Sequence, residues 1–163
     1  MARTKTTAER GKFKKEIHAA LYKNENLREL ILGDTSSMSS KELRTAFKEH
    51  VKSHLFIDDT IEETSTFIFY DINFPVLDSN IKSCQVVMFA ICHRDILEDY
   101  SKEGYFGDRA DILSQMIEDS LINDEEVANS FGIGKLSLES LNIYNSNKFY
   151  GSILTFSVPA FRW

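Results

Sequence analysis

The chain has 163 residues, of which 42% are hydrophobic and 12% aromatic, and its formal net charge at pH 7 is −6. This length fits one domain, and this apolar content is sufficient for a packed core, which excludes a disordered protein. No apolar run approaches the ~20 residues of a membrane helix, and the N-terminus lacks the apolar stretch of a signal peptide. We therefore expect a cytosolic origin and no membrane partner.

Charge is distributed unevenly along the chain. Residues 1–15 carry six basic residues and one acidic residue, a formal +5, whereas the remainder carries −11. Such a basic segment could bind nucleic acid or an acidic neighbouring subunit, and it could equally be a solvated terminus. We assign residues 1–12 to a flexible basic arm and residues 13–163 to a single domain. The candidate contact residues of the basic segment are Arg3, Lys5, Arg10, Lys12, Lys14 and Lys15.

Helical patterns dominate the first fifty residues. One apolar stripe begins at Phe13 and a second at Leu27, and Gly33 is a typical C-terminal stop. Ser39 and Glu42 form a capping-box pattern that begins a third helix. We expect this helix to end near residue 50, where an extended run takes over.

The remaining residues alternate between strands and one helix. Two strands are predicted over residues 66–76 and 82–92, and the second is apolar on both faces, which favours a central strand covered on both sides. A helix from Arg109, capped by Asp108, follows.

Two further strands complete the pattern, one over about residues 135–144 with a bulge near Ser140 and one from Tyr150 onwards. A hairpin turn at residues 145–147 joins them. The fold class is therefore α+β, with N-terminal helices followed by a β-β-α-β-β module. Its mainly antiparallel sheet packs against the helices.

The two cysteines predict buried thiols rather than a disulfide. Cys84 and Cys92 are eight positions apart on one predicted strand. At ~3.3 Å per residue their Cα atoms are roughly 26 Å apart, far beyond the ~7 Å limit for a bridge.

Three short motifs resemble catalytic or metal-binding motifs, but each lacks further residues that the motif requires. His93–Asp95 matches the kinase triplet, but Tyr100 replaces the asparagine that a kinase needs. The run Gly132–Lys135 resembles a phosphate loop, but the required Ser or Thr does not follow the lysine. His50 and His54 have metal-ligand spacing, yet two ligands are too few. We predict no enzyme activity, no cofactor and no metal.

The order of the segments resembles that of a known family. A helix is followed by the extended segment Leu55–Thr60, the strands Thr66–Asp71 and Gln85–His93, the helix Arg109–Ile117, the run Gly132–Leu138 and the closing Phe149–Phe156. This order is similar to the tail-terminator and head–tail connector (neck) proteins of long-tailed bacteriophages, including prophage relatives in Gram-positive bacteria. The resemblance covers roughly residues 10–160.

The resemblance implies a structural virion protein without catalytic residues. Such a subunit forms a homohexameric ring at the head-proximal end of the tail tube, ends tube polymerisation and joins the tail to the neck. The implied partners are other copies of the chain, the tail tube protein and a neck or head-completion protein. Genomic DNA is implied to pass through the ring without sequence-specific binding. The implied location is the phage tail or neck, assembled in the cytoplasm of the bacterial host.

A ring requires two different complementary patches on each subunit, because its contacts are head-to-tail. We expect the hairpin of the last two strands to pair with, or pack beside, the sheet of a neighbouring subunit. An acidic body would repel passing DNA and so avoid sticking. An acidic group is expected to face the lumen or an inter-subunit contact: Asp58, Asp59, Glu62 and Glu63. Aromatic residues near strand ends are candidate interface anchors or ordinary core residues: Phe74, Phe106, Phe149, Phe161 and Trp163.

Two alternatives remain open from the sequence. One is a head-completion or stopper protein of the neck, which would bind the portal-adaptor ring instead of the tail tube. The other is a small DNA-binding module that uses the basic arm, which predicts affinity for duplex DNA that falls steeply with salt.

Overall fold

The computed structural model describes residues 6–57, 61–77, 81–123, 125–126 and 136–162. The elements in chain order are α1 (Thr6–Lys23), α2 (Glu25–Leu32), α3 (Ser40–His50), β1 (Val51–Lys52), β2 (Thr66–Asn73), β3 (Ile81–His93), a 3-10 turn (Arg94–Ile96), α4 (Arg109–Ile122), β4 (Ser137–Asn145) and β5 (Phe149–Arg162). This is the predicted α+β class, with the helices of the N-terminal part preceding the sheet. Among the described residues, no helix is long and apolar enough to cross a membrane.

Local capping signals set the ends of the helices where the sequence predicts them. The Ser39 hydroxyl accepts a hydrogen bond of 3.2 Å from the Glu42 amide at the start of α3. Asp108 and Asp111 form a reciprocal capping box at the start of α4. Gly33 ends α2 with a φ of 73°, a conformation that a side chain would strain.

The first helix begins earlier than the sequence predicts. Residues 6–12, which the charge pattern assigns to a flexible arm, form the first turns of α1. Arg10 Nη2 lies 2.6 Å from Asp71 Oδ1 and ties this part of the helix to β2. Charge composition could not reveal this contact, because its two partners are 61 positions apart in the chain.

The five strands form one sheet in the order β1-β2-β3-β5-β4, so β3 is central as predicted. The β1–β2 pair is parallel and the other three pairs are antiparallel. The register of β4 against β5 shifts between Leu138 and Ser140, which confirms the predicted bulge. The predicted hairpin turn is present, and the Ser146 amide donates a hydrogen bond to the Phe149 carbonyl at 2.9 Å.

The main core lies between the helices and one face of the sheet. Alternate residues of β3 from Cys84 to Cys92 are buried on this face, and its paired strands contribute Tyr70 and Leu154. The prediction that both faces of β3 are covered is wrong for much of the opposite face. There the segment around Leu55 covers one end, near Phe67, while Val87 and Phe89 remain half-buried.

Candidate functional site

A basic groove lies beside α1 and α3, next to β1. Its volume is about 1190 Å³, and its apolar lining includes Tyr22, Val51 and Tyr70. Six cationic side chains line it: Lys14, Lys15, Lys41, Arg44, Lys48 and Lys52. No acidic residue is among the described residues that line the groove, although the whole chain carries a net charge of −6.

Helix α3 presents half of these cations on one face. Lys41, Arg44 and Lys48 follow one another at spacings of three and four residues, which places them on the same side of a helix. None of the three forms an ion pair with a described residue. Phe47 is fully buried and anchors α3 against α1, with its ring 5.3 Å from that of Tyr22.

The positive charge of the groove affects the pKa of one of its histidines, His18. The ring of His18 lies edge-on to Phe47, with 5.4 Å between the ring centroids. Burial, and then the positive charge of Lys48, lower the pKa of His18. His18 therefore favours its neutral form, and the positive charge of the groove comes from lysine and arginine.

One acidic residue fixes the edge of the sheet beside the groove. Arg10 and Lys14 both contact Asp71 Oδ1, at 2.6 and 3.0 Å, and Lys14 Nζ also donates to the Ser53 carbonyl at 2.8 Å. Burial alone would raise the pKa of Asp71, but the hydrogen bonds from Lys14, Arg10 and the Ile72 amide outweigh it and lower the pKa. This carboxylate is therefore a charged anchor at neutral pH.

The remaining residues of the predicted basic segment have different positions. Lys15 is exposed and lines the groove together with Lys14, whereas Lys12 faces Glu16 at 3.9 Å. Arg3 and Lys5 lie outside the described residues. The structure thus brings two of the six predicted residues into one groove, together with cations of α3 that sequence reasoning did not connect to them.

The far edge of the sheet is a second surface with unusual exposure. Among the described strands, β4 is paired only with β5, and it carries Leu141 and Ile143 with 56% and 72% of their surface exposed. The strand contains no lysine, arginine or proline, the residues that commonly protect an edge strand from pairing. Neither aliphatic residue stands out in the sequence, although the predicted bulge is the signal that sets their side of the strand.

Two of the five predicted aromatic anchors pack within the subunit. Phe149 is only 5% exposed, and its ring lies 5.9 Å from that of Phe67. Phe74 is half-buried beside Phe13, with ring centroids 6.3 Å apart. Phe106 is 79% exposed. Phe161 lies in β5, where only its backbone is described, and Trp163 is outside the described residues.

The structure describes only two of the four residues of the predicted acidic group. Glu62 and Glu63 are exposed in the segment that leads to β2, while Asp58 and Asp59 lie outside the described residues. Phe56, just before them, is exposed over 71% of its surface.

The kinase-like triplet at residues 93–95 makes hydrogen bonds that support the local fold. His93 Nδ1 accepts a hydrogen bond of 3.1 Å from the Asp95 amide. Arg94 fastens the β4–β5 hairpin, because its Nε donates to the Ser146 carbonyl at 3.0 Å and its Nη2 to Asn145. The triplet therefore has a structural role, which is to support the hairpin turn.

The two histidines with metal-ligand spacing lie beside different aromatic rings, and both cysteine thiols are buried. His50 stacks on Phe67 with 5.0 Å between centroids, whereas His54 lies beside a different ring, that of Phe69. Within the described ranges, no group of three or more His, Cys, Asp or Glu residues could hold a metal ion. Both cysteines are free and buried, as predicted, and burial raises the pKa of Cys92 to about 12.

Comparison with known proteins places the chain in a family. Residues 15–158 match the model of the YomW family, which takes its name from a gene of a Bacillus phage region. No curated protein matches the chain. The match spans most of the chain and associates it with phages. The chain therefore belongs to the YomW family of phage-associated proteins.

Proposed function

We propose that this chain is a tail terminator, a structural protein that forms a sixfold ring at the head-proximal end of a phage tail tube. In that position it would end tube polymerisation and join the tail to the neck. Membership of a phage-associated family and the order of the segments support this role. The observation that carries it is the open edge of the sheet at β4.

An edge strand presents a row of unpaired N–H and C=O groups that can pair with another chain. β4 is nine residues long and adds two exposed aliphatic side chains, Leu141 and Ile143, to that row. A neighbouring copy that docks there would bury both. A contact between β4 of one copy and a different patch of the next is head-to-tail, and such contacts close into rings when the rotation permits.

The proposed role is structural rather than catalytic. The polar residues of the motifs that resemble catalytic sites make structural contacts. Arg94 hydrogen-bonds to the hairpin, and His50 stacks on Phe67. The partners we propose are other copies of the chain, the tail tube protein and a neck protein.

The acidic body fits a channel that DNA crosses without binding, because like charges repel. We propose that Glu62 and Glu63, together with Asp58 and Asp59, face the lumen or an inter-subunit contact. Glu62 and Glu63 are exposed, as this requires. Reversing the charge of all four without any effect on assembly or infectivity would contradict this part of the proposal.

Deleting the gene from an inducible phage region tests the proposed role, with the lysate imaged by negative-stain electron microscopy. A missing terminator leaves tube polymerisation uncontrolled, so we expect headless tails of abnormal and variable length. Headless tails of normal length would favour the head-completion alternative, and complete virions would exclude both roles. Complementation with the wild-type gene should restore normal tails.

A further inference from the structure

We infer that the basic groove of one copy receives the acidic α4–β4 side of the next copy, so that charge pairing forms the head-to-tail contact of the ring. This inference rests on the proposed ring and names the second of the two patches that it needs. The patch is built, since α1, α3 and β1 together surround it, and of its six cations only Lys14 is paired with a described carboxylate, that of Asp71.

The two sides of this contact lie at opposite edges of one sheet. The strand order places β1, beside the groove, at one edge and β4 at the other. Helix α4 packs on β3 and β5, the strands that lie between the groove side and β4, and Glu125 and Glu126 follow its C-terminal end. Patches on opposite sides of a subunit favour a head-to-tail contact over a reciprocal twofold one.

The α4–β4 side has the complementary charge. Its described residues, 109–123, 125–126 and 136–147, include six carboxylates and one cation, Arg109, whose guanidinium donates to the carbonyls of Ile96 and Leu30. Five of these carboxylates form no ion pair with a described residue; Asp111 and Asp119 accept hydrogen bonds within the subunit, which leaves Glu118, Glu125 and Glu139 without either kind of described partner. They match the three cations of α3 in number and in sign, and complementary potentials steer such surfaces together.

The aromatic lining of the groove favours a protein partner over nucleic acid. Binding of single strands relies on bases stacking on open aromatic faces. Tyr70 is fully buried, and Tyr22 contacts Phe47 on one side while the Arg28 guanidinium lies 4.9 Å from its ring centroid. Tyr70 therefore has no exposed face, and the ring of Tyr22 already contacts Phe47 and Arg28.

Charge reversal on α3 tests the inference by sedimentation velocity. The variant Arg44→Glu/Lys48→Glu should associate more weakly than the wild type, on the order of tenfold or more, because like charges then face each other. The control Lys12→Glu changes the net charge in the same direction but alters an exposed lysine outside both patches, and should associate normally. Adding Glu125→Lys/Glu139→Lys to the groove variant should restore association. Circular dichroism and thermal unfolding confirm that each variant is folded.

Salt gives an independent readout. Association of the wild type should weaken between about 0.1 M and about 1 M salt, as the Debye length falls from about 10 Å to about 3 Å. Rings that form equally well in the folded groove variant would overturn the inference and leave the proposed ring intact. A wild type that never associates would overturn both. Binding of a fluorescent DNA duplex that is lost in the groove variant would also overturn the inference and assign the groove to nucleic acid.

Discussion

The two edges of the sheet differ in how the chain protects them. At one edge, β1 is only two residues long, α3 leads directly into it, and Asp71 beyond it is held by Arg10 and Lys14. At the other edge, β4 is nine residues long and exposes Leu141 and Ile143. Open edges are normally blocked by charge, proline or covering elements. The chain thus closes one edge with its own helices and leaves the other available to a neighbour.

Charge at the open edge should have the largest effect on assembly. The variant Leu141→Lys/Ile143→Lys places two charges where a neighbouring strand would pack, so we expect loss of self-association by size-exclusion chromatography with light scattering. Both side chains are largely exposed, so the free energy of unfolding of the monomer should change by no more than about 0.5 kcal/mol. The matched control is Asn142→Ser, a change at an exposed residue between them that adds no charge to the strand, and it should assemble. Assembly of the double variant would show that β4 is not an interface.

The centre of the sheet should tolerate change far less than either edge. A Cβ atom at Gly151 would collide with the backbone carbonyl of Ala90, where β5 crosses the central strand. We expect Gly151→Ala to lower the free energy of unfolding by about 1–3 kcal/mol or more, measured by urea denaturation. Gly11→Ala is the opposite case, because its Cβ meets open space in α1, and it should raise stability by about 0.5–1 kcal/mol. Equal stability of the two variants would contradict the tight packing at β3 and β5.

The closed edge should depend on the charge of Asp71. Asp71→Asn should lower the free energy of unfolding at pH 7 by about 0.5–1 kcal/mol, a modest amount because solvent screens the half-exposed Arg10. The folded pKa of Asp71 is lowered, so its contribution is present above the unfolded pKa of about 3.9 and is lost as pH falls through the folded value. Urea denaturation should therefore show a difference from the wild type at pH 7 that shrinks towards pH 3.

Glu63→Gln provides the reference for that experiment, since Glu63 is exposed and forms no ion pair with a described residue. It should leave stability unchanged at both pH values. A pH-independent loss in Asp71→Asn would mean that packing, rather than charge, holds this edge.

The smallest effect should come from a single groove cation. Lys48→Gln removes a positive charge that lowers the pKa of His18, so that pKa should rise towards its ordinary value while burial still holds it below. Titration of the imidazole signals by NMR measures this change. Lys148→Gln, which removes a lysine from outside the groove, should leave the His18 titration unaltered. An unchanged pKa in Lys48→Gln would mean that solvent screens the groove completely.

Local signals explain what could be predicted from the sequence. Ser39 and Asp108 cap their helices, and the shift in strand parity near Ser140 is a real bulge. Each of these features depends on residues a few positions apart, which a pattern along the chain contains. The α+β class and the strand–strand–helix–strand–strand order follow from the same patterns.

The features that escaped prediction depend on distant parts of the chain. The helical state of residues 6–12 is supported by the Arg10–Asp71 contact, and the groove combines Lys14 of α1 with Lys48 of α3. The opposite face of β3 is apolar in sequence, yet the helices all pack on the other side. Only the packing of distant segments decides these outcomes, so no window of local sequence contains them.

Native mass spectrometry of the purified protein, with and without the tail tube protein of the same phage region, tests the ring most directly. We predict a sixfold species, formed either by the protein alone or when the tube is added. A protein that stays monomeric when the tail tube protein is added, but binds duplex DNA, would contradict the terminator role and favour a DNA-binding module.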